Sequence, residues 1–441
     1  MSAESLPRYS FNPSFSRTPS YSAEPHEYEQ RIALNRSQTR PPSGDFVKQS
    51  KSAGISLRLT AQDSASLPVY GCGASVDGKV DISKPEGVFG VEVKIEGSLR
   101  LKEIAEGGTT THKLCLTKLS LWSKDRQSGP CPSSVPFSIA LPTTFSDGRE
   151  TYPLPPSHEA HLSGVPGFRA TIDYSVTAYV FRGRAAQLLP IKNSNVVSTP
   201  FIYYPRSRPA VPLPSPMILT RSFPGVLEVS EWICFDGVMP ARSRNVSDIT
   251  AKLYIPSSRV YCISEPIPFH LSFTGSTQSL ASFLPYAPST SPVSPGRKHT
   301  RIQVLRQSTV DVRNETVMGT KTDIWRVVSI GEGTFKHAVD GPTFMSFVGE
   351  INIDPSVKVG GFKAGGFSIK DCLVLSMTPP DPTKTPFHEL RSVVPIRLTT
   401  DSWNSGGAGL FAGSEYSAPS TPDDTPGPDS HFGDYREPPA R

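Results

Sequence analysis

At 441 residues, with 37% hydrophobic residues and 45 prolines, the chain has the composition of folded domains joined to sizeable unstructured stretches. No apolar run approaches the ~20 residues of a membrane helix, and the opening MSAESLPRYSF has no apolar core of a secretory leader. The formal net charge is +5, but residues 401–441 hold seven acids against two arginines, so the tail carries −5 and the preceding body +10.

Residues 1–50 are rich in Ser, Pro, Arg and Tyr with little apolar periodicity, and are expected to form a disordered arm. Strand signals start at ISLRLT, where Ile55, Leu57 and Leu59 share a face. VDGKVDI and VEVKIEGSLRL follow, the latter alternating Val91, Val93 and Ile95 with Glu92, Lys94 and Glu96. In THKLCLTKLSLW, Leu114 and Leu116 are out of phase with Leu119 and Leu121, which predicts a bulge. VPFSIAL and FRATIDYSVTAYVF come next; in the second, Ile172, Tyr174, Val176, Ala178 and Val180 share one face. The stretch Pro200–Pro216, PFIYYPRSRPAVPLPSP, lacks alternation, and its prolines predict a stiff, extended connector, with the linker placed at 204–216.

Beyond it the strand pattern resumes in GVLEVSEWICF, ITAKLYI, PIPFHLSF, RIQVLRQSTV, TDIWRVVSI, TFMSFVGEINI, FSIKDCLVLSM and SVVPIRLTT. The Ser/Pro-rich segment 275–299 reads as a long loop, and 401–441 as a disordered acidic tail. Short strands with frequent turns and no amphipathic helix predict an all-β fold of two tandem immunoglobulin-like β-sandwich domains, over 51–203 and 217–400. Each is long enough, at ~150–185 residues, to bury its own core.

Six cysteines without a C-x-x-C spacing read as buried thiols of a reducing compartment. Ser2 stands where myristoylation needs glycine, and the closing PPAR has no prenylation cysteine. These features lead us to expect a soluble cytoplasmic protein whose membrane contact, at anionic surfaces, is peripheral.

The strings that carry chemistry are regulatory ones. Arg36-Ser37-Gln38-Thr39-Arg40-Pro41 places a basic residue three positions before Thr39, as basophilic kinases require. Its phosphorylated form matches the motif that arginine-lined 14-3-3 proteins read. Ser291 and Ser294 each precede proline, and the second lies beside the basic cluster Arg297, Lys298 and Arg301; Thr421 and Thr425 are further Thr-Pro sites. Arg206-Ser207-Arg208-Pro209-Ala210-Val211-Pro212 has the spacing of an SH3 ligand, read first as part of the linker.

The order of segments resembles the arrestin family, in its α-arrestin branch. The first half resembles an arrestin N-domain through LPVYGCGASVDGKVDI, GVEVKIEGSLRL, PFSIALP, YPLPPS and ATIDYSVTAYVFR. Tyr203-Tyr204-Pro205-Arg206-Ser207-Arg208-Pro209 is similar to the stretch between domains. AKLYIPSSRVYCISEPIPFHLSFTG, RIQVLRQ, GGFSIKDCLVLSM and VVPIRLT resemble the C-domain. The resemblance covers roughly 55–400.

It implies a non-enzymatic adaptor that binds cytosolic tails of transporters or receptors, at the plasma membrane or endosomes. It also implies recruitment of a HECT-type ubiquitin ligase, whose WW domains grip Pro-Pro-x-Tyr. The chain has no Pro-Pro-x-Tyr; the nearest string is Leu67-Pro68-Val69-Tyr70, which opens a strand-like run. The alternative is a retromer-like or pH-signalling scaffold without a ligase.

No cofactor or metal is expected. His158 and His161 sit three apart between prolines in an expected loop, without the spacing of a zinc helix. The basic charge has no interleaved aromatic pattern of a nucleic-acid binder, so nucleic acid is not among the expected partners.

Overall fold

Side chains of Phe168–Arg182 alternate between buried and half-exposed, and Val176, Ala178 and Val180 are fully covered on one face. That period of two is what a strand requires when one face meets a core. It recurs in Ser75–Ile82 and Ser134–Ala140. The computed structural model describes residues 24–32, 44–50, 54–104, 108–162, 167–182, 194–217, 230–290, 298–313, 321–381 and 383–405. Among these the fold is all-β with one short α-helix.

One sheet runs Val69–Tyr70, Ser194–Tyr203, Phe168–Arg182, Val88–Glu103, Thr109–Ser123, with His158–Leu162 extending the ladder on Phe168–Arg182. A second sheet runs Phe46–Gln49, Ile55–Leu59, Ser75–Ile82, Ser134–Ala140. Their inward residues, among them Leu57, Val80 and Phe137 from one and Val93, Ile172 and Phe201 from the other, share one core. The arrangement is sandwich-like.

A ten-stranded sheet forms the other half. Its order is Trp232–Met239, Ile249–Pro256, Ile267–Thr274, Phe344–Ile353, Lys321–Gly341, Thr300–Arg313, Phe367–Met377, Leu390–Thr399, Val260–Cys262, with Phe362–Ala364 on Phe367–Met377. It curls: Met239 and Ile249 near one end and Val394 and Leu398 near the other lie in one core. Helix Thr277–Phe283, N-capped by Ser276, closes that core, with Phe283 against Phe273 at 4.8 Å between ring centres.

Some expectations about the elements need correction. The reach 1–50, expected to be a disordered arm, supplies two strands, Glu29–Ile32 and Phe46–Gln49. These segments are too short to show periodicity; Glu29–Ile32 is held by the distant Arg206–Pro209, and Phe46–Gln49 by Ile55–Leu59, which follows it in sequence. Within 275–299, expected to be loop, lie the helix and a 3-10 turn, Leu284–Tyr286. In place of a bare connector at 204–216 there is the strand Arg206–Pro209, antiparallel to Glu29–Ile32. In Thr109–Ser123 there are two bulges where one was expected, at Leu114 and Leu121; Cys115–Ser120 between them is regular.

Candidate functional site at the seam between the two cores

The first core is not built from the first half alone. Val310, Phe362, Ala364, Phe367 and Ile369 of the ten-stranded sheet belong to it. The two halves therefore meet over an apolar seam, and charged groups border it.

Strand Glu29–Ile32 and strand Arg206–Pro209 form a two-stranded sheet apart from the larger ones, in the register Glu29 with Pro209 and Ile32 with Arg206. Four residue pairs are marginal by themselves, so side chains must hold the ribbon. Glu29 reaches Arg397 at 2.5 Å, with both side chains largely buried. Arg208 donates through Nε to Gln30 Oε1 at 3.0 Å. Arg206 donates through Nε to both carboxylate oxygens of Asp401, at 3.1 and 3.0 Å, and its Nη2 makes a further contact with the same group. Ser207 N–H donates to Thr400 Oγ1 at 3.0 Å, and Asp401 N–H to the Ser207 carbonyl at 3.0 Å. One ribbon thus ties the N-terminal reach, the connector and the last strand together.

The electrostatics follow. Burial pushes the Asp401 carboxyl up, yet hydrogen bonds from Arg206 and Thr400 and the charges of Arg206 and Arg208 prevail, and its pKa lies below the usual carboxylate range. His26 is held below the usual histidine range by burial and then by Arg397.

Deeper in the seam, Arg306 donates through Nε and Nη2 to the two oxygens of Asp371 at 2.8 and 2.9 Å, and through Nη2 to the Val359 carbonyl at 2.8 Å. Both residues are buried. Good geometry and the extra acceptor offset part of the desolvation that burying such a pair costs. His158 lies against Phe362 and Phe367, with ring centres 5.4 and 6.2 Å away, and its pKa falls to about 4 through burial and then the Arg306 charge. Lys363 crosses the seam to donate to the Tyr152 hydroxyl at 2.6 Å, and Arg326 donates to the His161 carbonyl at 2.7 Å.

Two hollows open along this border. One, of about 390 Å³, is lined by Tyr204, Ile263, Glu265, Ile353, Val357 and Lys358 among others. A smaller one of about 90 Å³ lies among Arg31, Cys72, Leu154, Phe362, Lys363 and Arg397. The larger falls within the size range of small-ligand sites, and its mixed lining suits an amphipathic segment. Apolar walls, a carboxylate and an ammonium can bind and orient such a segment.

The sequence-predicted residues fall elsewhere. Arg36, Ser37, Thr39, Pro41, Ser291, Ser294, Arg297, Thr421 and Thr425 lie outside the described residues. Lys298 and Arg301 are described, and both face Glu332: Lys298 Nζ at 3.4 Å and Arg301 Nη2 at 2.7 Å. Their charge is thus already partly neutralised, and the Glu332 carboxyl is lowered, chiefly by its hydrogen bond from Arg301.

Tyr70 of the WW-ligand candidate is 2% exposed, packed edge-on to Phe201 at 5.2 Å, while Leu67 is exposed and Pro68 precedes the short strand Val69–Tyr70. A WW groove would have to extract that ring from the core. In the SH3-like string, Arg206 and Arg208 are engaged in the ribbon. His158 and His161 stand on a strand, not the expected loop. An odd spacing on a strand points them to opposite faces, so they cannot share a metal. Among the described residues no group of three His, Cys, Asp or Glu has metal-binding geometry.

All six cysteines are free, four of them buried. Burial first, and then nearby carboxylates, push Cys115, Cys234 and Cys372 up to about 11, so they stay protonated at neutral pH. Among the described residues no helix is long and apolar enough to cross a membrane.

Sequence reasoning missed the Glu29–Arg397 and Arg206–Asp401 contacts. The signal was faint: a run of arginines in the connector, and one aspartate just past the last strand. No family model matches the chain, and a comparison with curated proteins finds no match.

Proposed function

We propose that the chain is an arrestin-like adaptor without catalytic activity: two β-sandwich domains that bind cytosolic parts of transporters or receptors and link them to ubiquitination and endocytosis. The observation that carries this reading is the seam. Two all-β cores share apolar surface and are tied by a ribbon of Arg/Asp and Arg/Glu contacts, with hollows opening beside it. Such a joint gives an extended, composite surface for peptide segments, which suits a binding scaffold. The strand signatures of the sequence support the same reading, as does a basic body that favours the anionic cytoplasmic face of a membrane. Phosphates placed at Thr39, Ser291, Ser294, Thr421 or Thr425 would tune these contacts through charge, the first by creating a 14-3-3 site.

A second reading, a scaffold that recruits no ligase, is favoured by one observation. The nearest relative of a Pro-Pro-x-Tyr string has its tyrosine buried in the first core. A HECT-type ligase would then have to come through a bridging partner.

The test is affinity purification of the full chain from gently solubilised cells with phosphatase inhibitors, read by mass spectrometry. Recovery of a HECT ligase together with permeases or receptors is the expected result. Sorting-coat subunits or a receptor without ligase would select the scaffold. Recovery of no membrane protein or trafficking component would refute both.

A further inference from the structure

Among the described residues the strand Thr109–Ser123 pairs on one side only, with Val88–Glu103, and ends its sheet. Its outer edge is a row of backbone groups without a ladder partner among those residues, the feature that invites an added strand. The bulges at Leu114 and Leu121 bracket a regular window, Cys115–Ser120. Within it Leu116 and Leu119 are 40% and 38% exposed, one on each face.

The charge of this edge has one sign. From Thr109 to Lys124 the chain carries Lys113, Lys118 and Lys124 and no acid. The neighbouring strand brings Glu92 opposite Ser120 and Glu96 opposite Leu116, and Glu96 is already held by Lys94 at 2.5 Å. Lys113 and Lys118 are exposed.

We propose that this edge takes an extended acidic peptide as an added strand, centred on Cys115–Ser120; the proposal rests on the adaptor reading and names its partner's chemistry. Backbone groups supply affinity, Leu116 and Leu119 supply apolar contact on each face, and Lys113 and Lys118 select acids. Charge decides the occupant. A second copy would set the same cations against each other, which opposes pairing. Edge lysines alone would serve only to keep other strands away. Two exposed leucines between them work against that purpose and fit an acidic, amphipathic strand.

The experiment uses the full chain and a fluorescein-labelled peptide of about twelve residues repeating Glu-Val-Glu-Thr, with a control in which Lys replaces Glu. Fluorescence anisotropy at low salt should show saturable binding of the acidic peptide and none of the control, and added salt should weaken it. The exposed-site double variant Lys118→Glu, Leu119→Glu should lose ~tenfold or more in affinity with an unchanged melting curve. Hydrogen exchange should slow on alternate amides of Cys115–Ser120 when peptide binds.

Equal binding to the variant, or slowed exchange only elsewhere, would overturn the proposal. So would a concentration-dependent dimer that protects this window without peptide. The same variant separates the two levels of the argument. If it loses the peptide yet still recovers membrane proteins from cells, the edge is not the cargo site and the adaptor reading stands. If wild type binds the peptide but recovers no trafficking partner, the adaptor reading fails and the edge remains a peptide site.

Discussion

Arg206 in the connector and Asp401 just beyond the last strand are 195 residues apart in sequence and meet as a forked ion pair. Removing either partner should loosen the ribbon. Arg206→Ala or Asp401→Ala is expected to cost about 1–3 kcal/mol, as charge-assisted hydrogen bonds of this kind do. The pH dependence has a definite sign. Asp401 titrates below its unfolded value of 3.8, so its contribution is present above about pH 4 and is lost as pH falls through the folded pKa. Urea midpoints of wild type and Asp401→Asn should therefore converge in strong acid. A constant gap down to the lowest pH would mean that the pair contributes nothing through charge.

Arg306 and Asp371 pose a different balance, because both are buried. Asp371→Ala leaves a guanidinium in the seam whose one remaining hydrogen bond among the described residues is to the Val359 carbonyl. A loss of ~3–5 kcal/mol is expected for such an orphaned charge. Replacing both together, Arg306→Met with Asp371→Leu, should recover most of that loss. Denaturant titration of the two single variants and the double completes the cycle. If the double variant is less stable than either single one, the pair is held by more than charge.

Much of this architecture was legible in the sequence where strands were long and one-sided. Phe168–Arg182 needed only its period of two, because a strand with one buried face writes that period in its residues. Thr109–Ser123 announced an irregularity through its leucines, although whether one bulge or two depended on the register with Val88–Glu103. Glu29–Ile32 left no such trace: four residues cannot show a period, and their burial comes from Arg206–Pro209 and Arg397. The seam was hidden for the same reason. Phe367 and Ile369 belong by pattern to FSIKDCLVLSM, a strand of the second half, and only the tertiary arrangement assigns them to the first core.

Gly97 tests how tightly the central strands behind the proposed peptide edge are built. A Cβ added there would lie 2.4 Å from Tyr174 Cε1 and 2.9 Å from Cys115 Sγ. Tyr174 cannot easily move, since its hydroxyl donates to the Pro155 carbonyl at 2.6 Å and its ring is buried. Gly97→Ala should thus destabilise by about 1–3 kcal/mol through overpacking. Thermal unfolding followed by circular dichroism would show it. An unchanged midpoint would mean that the Tyr174 ring shifts freely.

Two histidines should set the acid limb of stability. His158 against Phe362 and Phe367, and His270 beside Tyr254, both have pKa values of about 4, His270 through burial alone. Unfolded, each titrates near 6.5. Between those values the unfolded chain binds protons that the folded chain refuses, so stability falls as pH drops from 6.5 toward 4 and levels off below. Each site accounts for up to about 3 kcal/mol over that window. His26, lowered by burial and by Arg397, adds to the loss with the same sign. Asp401 does not contribute there, because its unfolded pKa of 3.8 lies beneath the window. His270→Phe and His158→Phe keep ring volume and remove the titration. Each should flatten the fall in urea midpoint between pH 6.5 and 4.5, and the two effects should add because the rings share no neighbour, His158 lying against Phe362 and Phe367 and His270 beside Tyr254. A variant whose acid limb matched wild type would show that its histidine is protonated in the folded state without cost.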